Sequence, residues 1–130
     1  MMYVLSGKPI SILKMREQQK RQQWDEQAAA KARLSFDLAN QHADRPLYDG
    51  PLHITVAFYF QFLQPISREK LSQFKGIPHM INPGLTDLIQ FVEWIGKGVL
   101  FAHDYIICGI DARKCFDDNP RTEITIKRLD

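Results

Sequence analysis

Cysteine is scarce in this chain. Cys108 and Cys115 are the only two in 130 residues, and they stand seven apart. Two are too few for a disulfide scaffold, and the spacing is not the CxxC of a zinc or redox site. They read as ordinary core thiols in a reducing compartment. Long apolar runs are missing as well. No stretch approaches the roughly 18 residues of a membrane-crossing helix, and Met1–Leu5 is too short for the apolar region of a secretory signal. A cytoplasmic location is the resulting expectation. Charge of one sign is weak: 17 Lys and Arg against 15 Asp and Glu give +2, which argues only faintly for a polyanionic partner. Gly96-Lys97-Gly98 lacks the spacing and terminal hydroxyl of a phosphate loop. Ser6, Ser11 and Ser35 lack the context of a nucleophile. No repeat or low-complexity segment is present.

What is present suits one domain with one core. The length falls where single domains commonly lie, and 45% hydrophobic residues allow a core without disulfides or structural metal. Tyr3-Val4-Leu5 predicts a short strand, with Ile10–Leu13 extending it or forming an edge beyond Gly7 and Pro9. Gln18 to about Asn40 predicts the longest helix. Its apolar stripe is Trp24, Ala28, Ala32 or Leu34, Phe36 and Ala39, widened by Leu38. Pro46 requires that helix to have ended. Tyr48–Pro51 is a turn. From Leu52 to Phe60 apolar residues alternate, with Leu52, Ile54, Val56, Phe58 and Phe60 on one face, which predicts a strand.

Ser67 is placed to cap a short helix through Leu71, and Gly76, Pro78 and Pro83 mark a loop over 75–84. A further helix starts at Asn82 or Thr86. Its stripe is Leu85, Leu88, Ile89, Val92 and Ile95, flanked by Phe91 and Trp94, and Gly96 and Gly98 end it. His103-Asp104 begins a turn. Tyr105–Phe116 predicts a strand with a bulge near Gly109, Asp117–Pro120 a turn, and Thr122–Leu129 a last strand with Ile124 and Ile126 inward. The last two strands together predict a β-hairpin. The order β(β)-α-β-α-β-β is that of an α/β or α+β domain, a small mixed sheet packed against helices.

These elements, with Gly7-Lys8-Pro9-Ile10-Ser11, Gly50-Pro51-Leu52, Leu88-Ile89-Gln90-Phe91-Val92, Gly98-Val99-Leu100-Phe101, Asp104, Arg113-Lys114 and Pro120–Ile124, follow a known pattern. Over nearly its whole length the chain resembles the RusA-like Holliday junction resolvases, small bacterial and phage endonucleases that cut four-way DNA. The resemblance implies a RusA-like fold, a homodimer on branched DNA, divalent magnesium or manganese, and phosphodiester hydrolysis. The family signature is Asp-x-Asp-Asn at the start of the central helix, a later Lys, and Asp-Asp in the following turn. Here Gly84, Thr86 and Asp87 occupy the first three positions, Gln90 the lysine position, and His103 and Asp104 the turn. His79 stands where family members often carry a histidine.

Magnesium needs hard oxygen ligands, usually one or two carboxylates with waters and phosphate. Gly84 offers none, Thr86 a neutral hydroxyl, and Gln90 no charge. Asp87 and Asp104 are the remaining candidates for catalysis and metal, with His103 and His79 as nitrogen donors. Such a mixed set favours manganese, zinc or iron over magnesium. The plain alternatives are that Asp87 stabilises a helix start, that Asp104 is an ordinary turn aspartate, and that the histidines are loop residues. Phosphate contacts come from basic side chains and can outlive loss of the acids. Lys8, Lys14, Arg16, Lys20, Arg21, Lys75, Lys97, Arg113 and Lys114 are the candidates. Three readings follow: a resolvase-family endonuclease with lost or altered activity, a non-catalytic DNA-binding protein of phage or mobile-element origin, and a structural protein on the same fold. A cofactor is either magnesium or manganese, or none.

Overall fold

The structure, a computed structural model, describes residues 1–12, 20–63 and 67–130. Its elements are β1 (Met2–Ser6), α1 (Lys20–His42), β2 (Leu52–Phe60), α2 (Arg68–Phe74), α3 (Leu85–Gly96), a 3-10 turn at Asp104–Ile106, β3 (Ile107–Phe116) and β4 (Arg121–Arg128). The four strands form one mixed sheet in the order β1-β4-β2-β3. β2 runs parallel to β3, and β4 runs antiparallel to both β1 and β2. This is an α+β domain.

The expected C-terminal hairpin does not form. β2 lies between β3 and β4, so the two last strands never pair. The four residues from Asp117 to Pro120 carry the chain across the end of β2, where the Asp117 N–H donates to the Phe60 carbonyl at 2.9 Å. A turn signal between two strands is equally compatible with a hairpin and with this hop; pairing partners choose.

The alternation in β2 is realised. Leu52, Ile54, Val56, Phe58 and Phe60 are all buried on the helix-facing side, with Tyr3, Leu5, Ile124 and Ile126 from the neighbouring strands. Leu88, Phe91, Val92 and Ile95 of α3 and Leu34 and Leu38 of α1 cover them. The other side of the sheet is open apart from a small cluster of Ala57, Tyr59 and Cys115. There the Tyr59 ring carries the Arg121 guanidinium 3.9 Å above it, and its hydroxyl accepts from Arg113 at 3.2 Å.

α1 buries part of the expected face, Leu34 and Leu38, but not the rest. Phe36 is 68% exposed, and Ala32 and Ala39 are exposed too, while Gln27, Leu34, Leu38 and His42 are buried. Polar residues anchor this face. Gln27 donates to the Ser11 carbonyl. The Gln41 amide accepts from Val4 N–H at 2.9 Å and donates to the Val4 carbonyl at 2.7 Å, imitating a strand along the outer edge of β1 and so satisfying that edge. His42 Nε2 lies 3.0 Å from the Pro46 carbonyl, which can only accept, so Nδ1 accepts from the Tyr3 hydroxyl at 2.7 Å. Burial, then hydrogen bonding with Tyr48, pushes the Tyr3 hydroxyl far above the usual range. A stripe search that scores only apolar residues misses such a face. The helix ends at Ala43, in left-handed geometry at φ +58. The side chain of Trp24 lies outside the described residues.

Smaller corrections have local causes. Ile10 and Ile12 form no strand; the Ile12 N–H is taken by the Asp87 carbonyl at 3.0 Å. Leu13 lies outside the described residues. Ser67 stands at the N-cap of α2, but its hydroxyl makes no capping bond. Residues 104–106 are a 3-10 turn, so β3 begins at Ile107 rather than Tyr105. The bulge is present: Leu52 pairs with Ile107 and His53 with Gly109, leaving Cys108 extra. Cys108 is therefore exposed, and only Cys115 is a buried thiol. No helix among the described residues is long and apolar enough to cross a membrane.

Candidate nucleic-acid interface and site segment

α3 begins at Leu85 because Gly84 is extended (φ −72, ψ 152) and its carbonyl accepts the Leu88 N–H. Asp87 lies in the first turn, where a negative charge complements the helix dipole. Its carbonyl fastens the Ile12 amide, so the chain leading to α1 is tied to the start of α3. The loop before α3 is held by β3. The His79 N–H donates to the Lys114 carbonyl at 3.1 Å. Lys114 Nζ then donates to the Ile81 carbonyl at 2.6 Å and the Pro83 carbonyl at 2.7 Å.

His79 is 5% exposed. It stacks on Phe60, with ring centroids 4.1 Å apart, and is tilted against Phe116 at 4.9 Å. Its Nδ1 is buried and has no hydrogen-bond partner among the described residues. Burial first, then the charges of Lys114 and Lys8, lower its pKa below the ordinary value.

Asp104 opens the 3-10 turn and is exposed. Burial, then the charge of Asp104, raises the Glu93 pKa above the ordinary value. Sequence reasoning missed Glu93 because it sits within the helix, away from any motif. Glu93 lies six residues beyond Asp87, ~9 Å along the helix. His103 stacks on Tyr105 at 4.6 Å. Among the described residues no three His, Cys, Asp or Glu side chains gather as a group that could hold a metal ion.

The cations are dispersed. Lys8 is exposed after β1. Lys75 at the end of α2 pairs with Asp118 at 3.2 Å; hydrogen bonding with Asp117 and with Lys75 lowers the Asp118 pKa. Lys97 is exposed at the end of α3. Arg113 and Lys114 are adjacent in β3 and therefore project to opposite faces: Arg113 joins Tyr59 on the open side, Lys114 the loop before α3. Lys14 and Arg16 lie outside the described residues, as do the side chains of Lys20 and Arg21.

A family profile described as Endodeoxyribonuclease RusA matches residues 7–127, nearly the whole chain. The chain belongs to the RusA family. That membership carries endodeoxyribonuclease action on Holliday junctions as the family's activity. No curated protein sequence matches the chain. RusA nucleases depend in general on divalent metal. Gly84, Thr86 and Gln90 supply neither carboxylate nor positive charge, and the described donors form no three-membered group. The residues present do not fit a RusA centre of the carboxylate-rich kind.

Proposed function

We propose that this RusA-family protein binds branched DNA as a homodimer, with its strand cleavage either lost or carried by an altered centre. The observation that supports this reading is the start of α3. The helix, its tethered 79–84 loop and the Asp104 turn are kept, while Gly84, Thr86 and Gln90 stand at the positions of two family acids and the lysine. Loss of carboxylates that act chiefly in the transition state removes rate, but it leaves phosphate contacts intact and lessens repulsion of the DNA backbone. Lys8, with Lys14 and Arg16, is the group assigned to the backbone. A two-fold dimer suits the pseudo-two-fold of a four-way junction. In an altered centre, Asp87 and Asp104 would be the catalytic carboxylates, with His103 or His79 assisting.

The test pairs binding with cleavage. Labelled four-way junctions are incubated with the protein in magnesium and in manganese, and affinity is followed across salt concentration. Binding with a steep inverse salt dependence and no cleavage supports a binder. Cleavage that disappears in Asp104→Ala supports an altered enzyme. No binding to junctions at low salt refutes both and leaves a structural role.

A further inference from the structure

Beside the 79–84 loop lies a cavity of about 320 Å³, at the small end of the roughly 300–1,000 Å³ of small-ligand sites. Its lining mixes chemistries: Phe60, Phe62 and Leu63 contribute apolar surface, Lys8 and Asn82 polar groups, and His79 lines it as well. The aromatic wall is made of stacked pairs: His79 lies nearly parallel to Phe60, at 18°, and Phe62 nearly parallel to Phe116, at 11°. Burial, and then Lys114 and Lys8, lower the His79 pKa and so favour the neutral ring. Its Nδ1, buried without a partner among the described residues, is a costly arrangement.

We propose that this cavity receives one unpaired nucleobase of bound DNA, stacked against the aromatic wall, with the adjoining phosphate at Lys8. The proposal rests on the reading of the chain as a binder of branched DNA. A nucleobase is flat and apolar on its faces and carries N–H and carbonyl groups at its edge, the chemistry that His79 and Asn82 can meet. A wholly apolar ligand leaves Lys8, Asn82 and the imidazole unmatched, and a small anion leaves the aromatic wall uncovered. Bases stack on aromatic side chains regardless of sequence. A base at a branch point or bulge is already unpaired and is the least costly to extrude. Lys8 is exposed at the rim and supplies the positive charge that a phosphate needs.

The experiment compares two junctions that differ at one extrahelical position, thymidine in one and an abasic analogue in the other, by fluorescence anisotropy. The expected preference for thymidine is about tenfold. Two variants probe the pocket. His79→Phe keeps a stacking ring but removes the imidazole nitrogens, and Leu63→Trp fills the mouth from a residue that is 76% exposed, so the core is untouched. Leu63→Trp should bring the thymidine-to-abasic ratio close to one, and His79→Phe, which keeps the stacking but not the edge contacts, should lower it in part. A ratio near one in the unaltered protein, or a preference retained in both variants, overturns the proposal. Titration with thymidine monophosphate alone, followed by NMR, separates failure of DNA binding from failure of the pocket. If no junction binds, DNA binding fails as a reading. Shifts at His79 and Lys8 that Leu63→Trp abolishes then keep the pocket as a nucleotide site, while their absence removes it. Shifts with the free nucleotide but no thymidine preference in a bound junction mean a free-nucleotide site and refute the DNA-base assignment.

Discussion

Replacing Lys114 by methionine should loosen the segment that leads into α3. The side chain keeps its stem but loses the ammonium that donates to the Ile81 and Pro83 carbonyls at 2.6 and 2.7 Å. Charge-assisted hydrogen bonds contribute about 1.5–3 kcal/mol each when shielded. The bond to Ile81 is exposed and contributes less, because water replaces the lost donor, so a total of about 2 kcal/mol is expected. For a chain of this size that corresponds to a fall in Tm of roughly 6–10 °C if the loop and core melt together. A second signature lies at His79. Burial is the first cause of its lowered pKa and Lys114 the second, so the variant's His79 should titrate higher than before yet still below the ordinary value near 6.5. A histidine whose folded pKa is depressed favours the folded state above about pH 6.5, and that contribution is lost as pH falls from there toward the folded value. Lys114→Met should shrink this acid-sensitive window. Urea denaturation at pH 7 and 5.5, hydrogen exchange of the His79 amide and NMR titration of its ring measure these effects. Unchanged midpoints, exchange and titration would refute the view that Lys114 is a clamp on the loop.

Other outcomes follow from the same structure. Gln41→Glu replaces the donor to the Val4 carbonyl by an acceptor and should destabilise by about 1–3 kcal/mol in urea denaturation. Leu88→Ala, at a fully buried position between α3 and the sheet, should cost about 2–5 kcal/mol by the same measurement. Glu93→Gln should raise Tm at neutral pH. The raised pKa of Glu93 means that its ionised form is disfavoured in the folded state, so stability present in acid is lost as pH rises through that value; the gain should vanish in acid. Ala43→Gly relieves a left-handed alanine at φ +58 and should stabilise by about 0.5–1 kcal/mol, read from the shift in urea midpoint.

Local pattern determined much of this protein. The strict alternation of Leu52–Phe60 required a strand with one buried face, and the spacing of Leu88, Val92 and Ile95 required a helix laid across it, because side-chain direction along one element follows directly from chain geometry. Motifs spread from Gly7 to Ile124 likewise pointed to the family, while Gly84, Thr86 and Gln90 at the start of α3 depart from its signature. Interactions between distant segments lay beyond that reach. β4 inserts between β1 and β2 because its two edges meet partners far away in sequence, and a four-residue turn does not encode which strands those are. α1 buries Gln27 and His42 rather than Phe36 because their polar groups find acceptors and donors on the Ser11, Tyr3 and Pro46 segments. The juxtapositions at the site were decided in the same way: His79 folded between Phe60 and Phe116, Lys114 closed over the loop, and Arg113 turned to the other face. Each depends on packing and hydrogen-bond satisfaction across the assembled sheet, quantities that exist only once the chain has folded.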